Sequence, residues 1–457
     1  MKRPPGSISL NCMDKTLLSF DCANEPMIIH AIIDIEGADE IDHIRLNQSI
    51  HSAQNAFPIM RSILKGKNLW PYREIQEDVG AGVLTLQDLT KVQDAKYEDY
   101  LFEWMNQPMD LGKVFPVRVL LIKKTELESA LIFTFHHSST DALRACTFMR
   151  KVIEAYNSGV FSDSDMSEDI RASRKGDELI EFLQSKRPRV QHYYMRLLYS
   201  IFYRLVLAAI PFPARIFHDK SGTSRIINLC NRTIGPKELK ELESKATSVG
   251  VELNDILLAS AYRLVEKWNG MHGKVSRKIR VMAPVNITIK GFSQVPCNQL
   301  SWISIPTWPK DRSDQGKLLK KLRSEVIYQS MTRRFHDIPY FFYVITRLPL
   351  FISVMICRIF VITRTYTDSV FFTNIGVVWP QIGSEESAVT SLGSAKIVNF
   401  TGSAFVITPI KMSFGASIYN KTLNVSLAYR PAMFSREKAQ QFLDLFIEEV
   451  LNYQVNS

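Results

Sequence analysis

Residues 133–146 read FTFHHSSTDALRAC. They end an apolar run, ESALIFTFHH over 128–137, with two imidazoles, and a carboxylate, Asp141, follows four residues after the second. The run is short and apolar on both faces, which predicts a strand central in its sheet. From Ala142 to Tyr156 the residues Leu143, Cys146, Met149, Ile153 and Tyr156 recur at helical spacing, and Gly159 stops the pattern. A strand-to-helix junction therefore carries titratable groups out of a core.

Side chains alternate along a strand, so His136 and His137 point to opposite faces if the strand persists to its end. That separates them as metal ligands, no third ligand stands at a recognisable spacing, and no metal is expected. One imidazole is then structural while the other opens onto a cavity. A lone strand-end histidine is commonly a satisfied core residue, but Asp141 after a short turn can order the loop, cap the following helix or pair with a cation. Ser138 and Ser139 are poor nucleophiles beside their own chain neighbours, and no GxSxG elbow is present. A general base acting on a bound substrate is the simpler reading.

The rest of the chain is consistent with a two-lobed enzyme. It has 457 residues, of which 46% are hydrophobic and 22% charged, as expected of a globular chain with more than one core. Lys and Arg number 56 against 46 Asp and Glu, a net charge of +10. That surplus favours acidic partners in general, whether phosphate-bearing cofactors, acidic carrier proteins, anionic lipid or nucleic acid, without choosing among them. Cys12, Cys22, Cys146, Cys230, Cys297 and Cys357 form no CxxC pair and read as reduced thiols.

IIHAIIDIE (28–36), VFPVRVLLI (114–122), RKIRVMAPVNI and SVFFTNIG read as strands, and MSFGASIY and LNVSLAY as a hairpin about Asn420 and Lys421. LNDILLASAYRLVEKWNG reads as a helix capped by Asn254, with Asp255 in its first turn and Gly270 at its end. Helices and strands mix without strict βαβ alternation, which predicts an α+β fold with mixed sheets in two lobes. The acidic-to-basic switch after Val160 divides the chain into a first lobe over 1–160, a connection over 161–222 and a second lobe over 223–457.

Two aromatic segments, 193–217 and 340–363, carry arginines that break them into uncharged runs of at most ten residues. A spanning helix needs about 20 apolar residues. Buried or amphipathic helices are expected there, and an interfacial lipid contact stays open. The N-terminus has no long apolar stretch of a signal peptide, so the expected location is cytoplasmic, with peripheral membrane contact as the open alternative.

HHSSTDA resembles the HHxxxDG signature of condensation domains and their relatives, the CoA-dependent acyltransferases, which include wax ester synthases and alcohol acyltransferases. QPMDLGKVFPVRVLLIK upstream is similar to the family's PFDLxxGPLxRxxLL strand. ELNDILLASAYRLVEKWNG resembles its TxNDxxLAA helix, RVMAPVNI its VPVxxR segment, PCNQLSWISIPTW its GNxxSxxxxPLP segment, and SVFFTNIGVV its late S/T-N strand. The matches run in order from about residue 10 to 452.

The resemblance implies two chloramphenicol-acetyltransferase-like lobes with an active-site tunnel between them. It implies an acyltransferase that moves an acyl group from a CoA or carrier-protein thioester to a hydroxyl or amine, with His137 as general base and no acyl-enzyme. His136 and Asp141 would hold the motif's geometry, and Asn298 and Asn374 would line the tunnel as substrate-binding residues. The donor, acyl-CoA or a phosphopantetheinyl acyl carrier, would be a substrate; no bound cofactor and no nucleic acid is implied. Two departures stand out. Ala142 replaces the motif's glycine and leaves less room for a pantetheine arm. Thr288 stands where the family has an arginine that would pair with the aspartate, so Asp141 is expected to use Arg280 or Lys290. A noncatalytic relative that binds an acyl carrier or partner, and a lipid-surface protein, are the alternatives.

Overall fold

The computed structural model describes residues 7–37, 41–66, 69–77, 82–92, 96–161, 212–287, 298–331, 342–343, 345–363, 368–381, 389–408 and 410–454. Thr288 and Lys290, Cys297, most of the 161–222 connection and residues 193–211 of the first aromatic segment lie outside the described residues.

A small sheet of order β1–β4–β3 is built from β1 (Ile8–Ser9), β3 (Ser62–Lys65) and β4 (Tyr72–Ile75). The first large sheet contains β2 (Ile28–Glu36), β5 (Leu84–Asp88), β6 (Val117–Lys123), β7 (Glu128–His136), β12 (Ser391–Leu392) and β13 (Ala395–Ser403), in the order β12–β13–β2–β7–β6–β5. The second contains β8 (Asn228–Ile234), β9 (Ile279–Asn286), β10 (Leu300–Thr307), β11 (Val370–Val377), β14 (Met412–Tyr419) and β15 (Thr422–Tyr429), in the order β10–β9–β11–β14–β15–β8. Both are mixed, with parallel pairs at β5–β6, β9–β11 and β11–β14.

The main helices are α1 (Cys12–Cys22), α2 (His43–Ala56), α3 (Tyr97–Asn106), α4 (Ala142–Ser158), α5 (Pro236–Ser248), α6 (Leu253–Met271), α7 (Gln315–Met331), α8 (Leu350–Thr363) and α9 (Arg436–Leu451). As its two-sided apolar sequence requires, β7 is central. Phe133 and Phe135 pack with Leu46 and Ile50 of α2 and Phe148 and Val152 of α4. Ile132, on the other face, packs with Leu101, Trp104 and Met105 of α3. In the second lobe α6 and α9 cover one sheet face, with Trp268 edge-on to Phe442 at 5.2 Å and Phe414 against Phe446 at 4.6 Å. Each such fully buried side chain stabilises the fold by roughly 1.5–3 kcal/mol.

Two local expectations are corrected. The lobes are not contiguous in sequence, because β13 leaves the second half of the chain and pairs with β2, Thr401 opposite Ile32 and Ser403 opposite His30. Without it the outer edge of β2 would carry unpaired backbone groups. The cap of α6 is Glu252, not Asn254: the Glu252 N–H donates to the Asp255 carboxylate at 3.0 Å. Asn254 instead accepts a hydrogen bond from the Asn374 amide at 3.2 Å. Among the described residues, no helix is long and apolar enough to cross a membrane.

Candidate active site

The two histidines separate as strand alternation requires. His136, the last residue of β7, is fully buried. Its Nδ1 accepts the Ser138 N–H at 3.2 Å and the Ser138 hydroxyl at 2.8 Å. Nδ1 therefore holds the lone pair and Nε2 the proton; Asp21 Oδ2 lies 3.5 Å from Nε2 without closing a hydrogen bond. The neighbouring hydroxyls are also committed: Arg73, itself buried, donates to Ser138 Oγ at 3.0 Å and Ser139 Oγ at 2.6 Å.

His137 leaves the strand, its N–H bonded to the Met27 carbonyl at 2.7 Å. Its ring Nδ1 lies 2.9 Å from the Thr140 carbonyl. A carbonyl can only accept, so Nδ1 carries the proton and Nε2 the lone pair. The ring meets Phe405 edge-on at 5.4 Å. Burial lowers its pKa below the ordinary 6.5, against the opposing pull of Asp141. The ring is thus neutral at neutral pH, with its basic nitrogen already chosen.

Asp141 caps α4, accepting the Arg144 N–H at 3.0 Å. Its other oxygen takes Arg144 Nη1 at 3.1 Å and the Gln299 N–H at 3.1 Å. The expectation that Arg280 pairs with Asp141 is corrected: Arg280 pairs with Asp368 at 3.1 Å. Arg144, one helical turn from Asp141, supplies the cation and reaches across the lobes to Asn286 Oδ1 at 2.8 Å and Gln299 Oε1 at 2.9 Å. Sequence reading missed it because an arginine at a helix start ordinarily faces water. The i, i+3 spacing to Asp141 was the available signal.

His137, Asp141, Arg144 and Asn374 all border one cavity between the lobes, of about 1450 Å³ with its open mouth included. Its wall is mostly apolar, with Leu17 and Phe20 of α1, Trp302, Phe371 and Phe405 among the lining residues. Ala142 also lies on the wall. Asn298 does not line the cavity. It is buried behind it, donating to the His137 carbonyl at 2.7 Å and to Asp14 Oδ1 at 2.8 Å. Cys146 does line it, but burial and then Asp141 push its thiol up to about 12, so it stays protonated.

Two lobes built on mixed sheets, with a cavity between them, are the architecture of condensation-type domains. The family model described as Condensation domain matches residues 23–275, and the chain belongs to that family. Solved structures agree in fold at low identity. The epimerization domain from the third module of tyrocidine synthetase B superposes with a TM-score of 0.64 at 13% identity, over 98% of this chain and 97% of that one. The cyclization-docking bidomain of EpoB from Sorangium cellulosum gives 0.67 at 12%, over 98% and 85%. A mutant starter condensation domain of rhizomide synthetase, solved in complex with C8-CoA, gives 0.66 at 11%, over 98% and 94%. Comparison with curated protein sequences gives no match.

Proposed function

We propose that the protein is an acyltransferase that moves an acyl group from a CoA or carrier-protein thioester to a hydroxyl or amine. The observation that carries this reading is the His137 ring on the cavity wall, with Nδ1–H held by the Thr140 carbonyl and Nε2 left basic. The acceptor O–H or N–H gives its proton to Nε2 as its oxygen or nitrogen attacks the thioester carbonyl. A tetrahedral species forms, the C–S bond breaks, and the departing sulfur takes the proton back from Nε2. No acyl-enzyme is needed: the Ser138 and Ser139 hydroxyls are engaged by Arg73 and the Cys146 thiol is neutral. His136 and Asp141 hold the junction, and Asn298 positions His137 through its carbonyl. Asn374, which gives one amide hydrogen to Asn254, keeps a second for the substrate. Membership of the condensation family supports the reaction class, and likeness to a domain solved with C8-CoA supports a thioester donor.

The test is a screen of acyl-CoAs and acyl carriers against alcohols and amines, read by mass. The two donor arms distinguish CoA from carrier protein. His137→Ala should stay folded by circular dichroism, still bind donor, and turn over at least about a hundredfold more slowly. Turnover close to wild type in that folded variant would overturn the mechanism. Ala142 at the motif's glycine favours a second reading, a noncatalytic binder of an acyl carrier or partner. Donor binding without turnover by the unmodified protein across the whole screen would select it.

A further inference from the structure

Helix α8 is apolar on both sides. Its buried positions include Ser353, whose hydroxyl donates to the Ile345 carbonyl at 3.1 Å, and Cys357. Four of its large apolar residues nevertheless face outwards: Phe351 is 59% exposed, Met355 54%, Ile359 49% and Ile362 75%. A helix with its outer side in water carries polar residues there. The stripe spans roughly 17 Å at 1.5 Å per residue. A second chain segment extends it. Leu69 and Trp70, each 45% exposed, adjoin the start of α8, where the Leu350 N–H donates to the Leu69 carbonyl at 2.9 Å.

The charged residues of α8 and of the turn before it are arginines. Residues 338–367 contain three arginines and no acidic residue. Arg347 and Arg358 are exposed beside the stripe. A protein partner would match such a face with a carboxylate-rimmed apolar groove. A bilayer containing anionic lipid offers an apolar interior and a negative headgroup layer without further specification. Long arginine side chains reach headgroups while their helix lies among the acyl chains.

We propose that the face formed by α8, Leu69 and Trp70 seats the protein on an anionic lipid surface. The contact is interfacial, since 14 residues are too few to span a bilayer. Its place in the fold gives it a consequence. The inner side of α8 packs on α1, whose Leu17 and Phe20 line the interlobe cavity. A protein so seated holds its cavity one helix layer from the lipid.

Flotation with phosphatidylcholine vesicles, with or without about one part in four of phosphatidylserine, tests this. The unmodified protein should float with the anionic vesicles and be released as salt rises from about 0.1 to about 1 M. The combined variant Phe351→Ser, Met355→Ser, Ile359→Ser and Ile362→Ser should float at least about tenfold less. Its melting temperature and its turnover of water-soluble substrates should be unchanged, because none of the four lines the cavity. Equal flotation with neutral vesicles would overturn the proposal. A dimer that the four serines convert to monomer would assign the face to a second copy. A lower melting temperature would assign it to another segment of this chain.

Discussion

Arg144 joins elements that are far apart in sequence. One guanidinium touches Asp141 on its own helix, Asn286 at the end of β9 and Gln299 just before β10. Removing one member of a buried ion pair leaves the other charge uncompensated and costs about 3–5 kcal/mol. Arg144→Met should therefore lower unfolding free energy by that amount in denaturant titrations. Arg144→Lys should recover only part, because an ammonium cannot reach three acceptors in the fork geometry of arginine. A neutral effect of Arg144→Met would show that Asp141 uses another cation. His30 makes a separate prediction. Thr134 Oγ accepts the Trp104 indole N–H at 3.0 Å and lies 3.0 Å from His30 Nδ1. Burial, with Arg118 adding to it, pushes His30 from 6.5 down to about 3. Between those values the unfolded chain binds a proton that the folded chain refuses. The stabilisation is present above pH 6.5 and lost as pH falls towards 3, at up to about 1.4 kcal/mol per unit. The acid limb of a stability–pH curve should flatten in His30→Gln, and an unchanged slope would refute the assignment.

At the scale of elements, what could be read from the sequence was what neighbours in the chain determine. The two-sided apolar pattern of 128–136 located β7, and alternation assigned different environments to His136 and His137. Asn420 and Lys421 marked the β14–β15 turn. What could not be read depends on distant partners. Nothing local in 395–403 says that the strand pairs with β2, over 360 residues away. With Thr288 at the family's arginine position, the sequence offers Asp141 only Arg280 or Lys290, because spacing in the chain does not reveal which arginine the fold buries. The aromatic character of α8 was visible, but which side faces outwards is settled only by packing on α1. The turn itself allows a test. Asn420 and Lys421 have φ of 46° and 61°, the left-handed conformation of a two-residue hairpin. Asparagine tolerates it, whereas a lysine there costs roughly 1–2 kcal/mol relative to a right-handed residue. Lys421→Gly should raise the melting midpoint, with a gain on the order of 0.5–1 kcal/mol. Loss of stability would show that the lysine side chain contributes more than its backbone strain costs.

The whole molecule depends on keeping two lobes at a fixed separation, because the cavity exists only between them. Hydrophobic seams are tolerant of sliding, but charge contacts have a definite geometry. Glu25, on the connection from α1 to β2, is fully buried. Its carboxylate takes Arg430 Nη2 at 3.0 Å, the Thr408 N–H at 2.8 Å and, on its other oxygen, the Arg225 guanidinium. Arg225 precedes the first strand of the second sheet and Arg430 follows its last, so one first-lobe carboxylate clamps the chain where it enters and where it leaves that sheet. Glu25→Gln keeps the shape and removes the charge, leaving two arginines facing a neutral amide. The expected loss is about 3–5 kcal/mol. The exposed pair Arg232–Asp444, with side chains 40% and 53% accessible, is the control, and Asp444→Asn should cost no more than about 1 kcal/mol. Glu25 bonds Arg225, Arg430 and Thr408 and not the His137 ring, so loosening the clamp should raise KM by misaligning the cavity walls while the pH profile of the remaining activity stays that of wild type. An altered pH profile would mean that Glu25 acts on His137 itself, and a cost no larger than that of Asp444→Asn would mean that the lobes are held by their apolar seam alone.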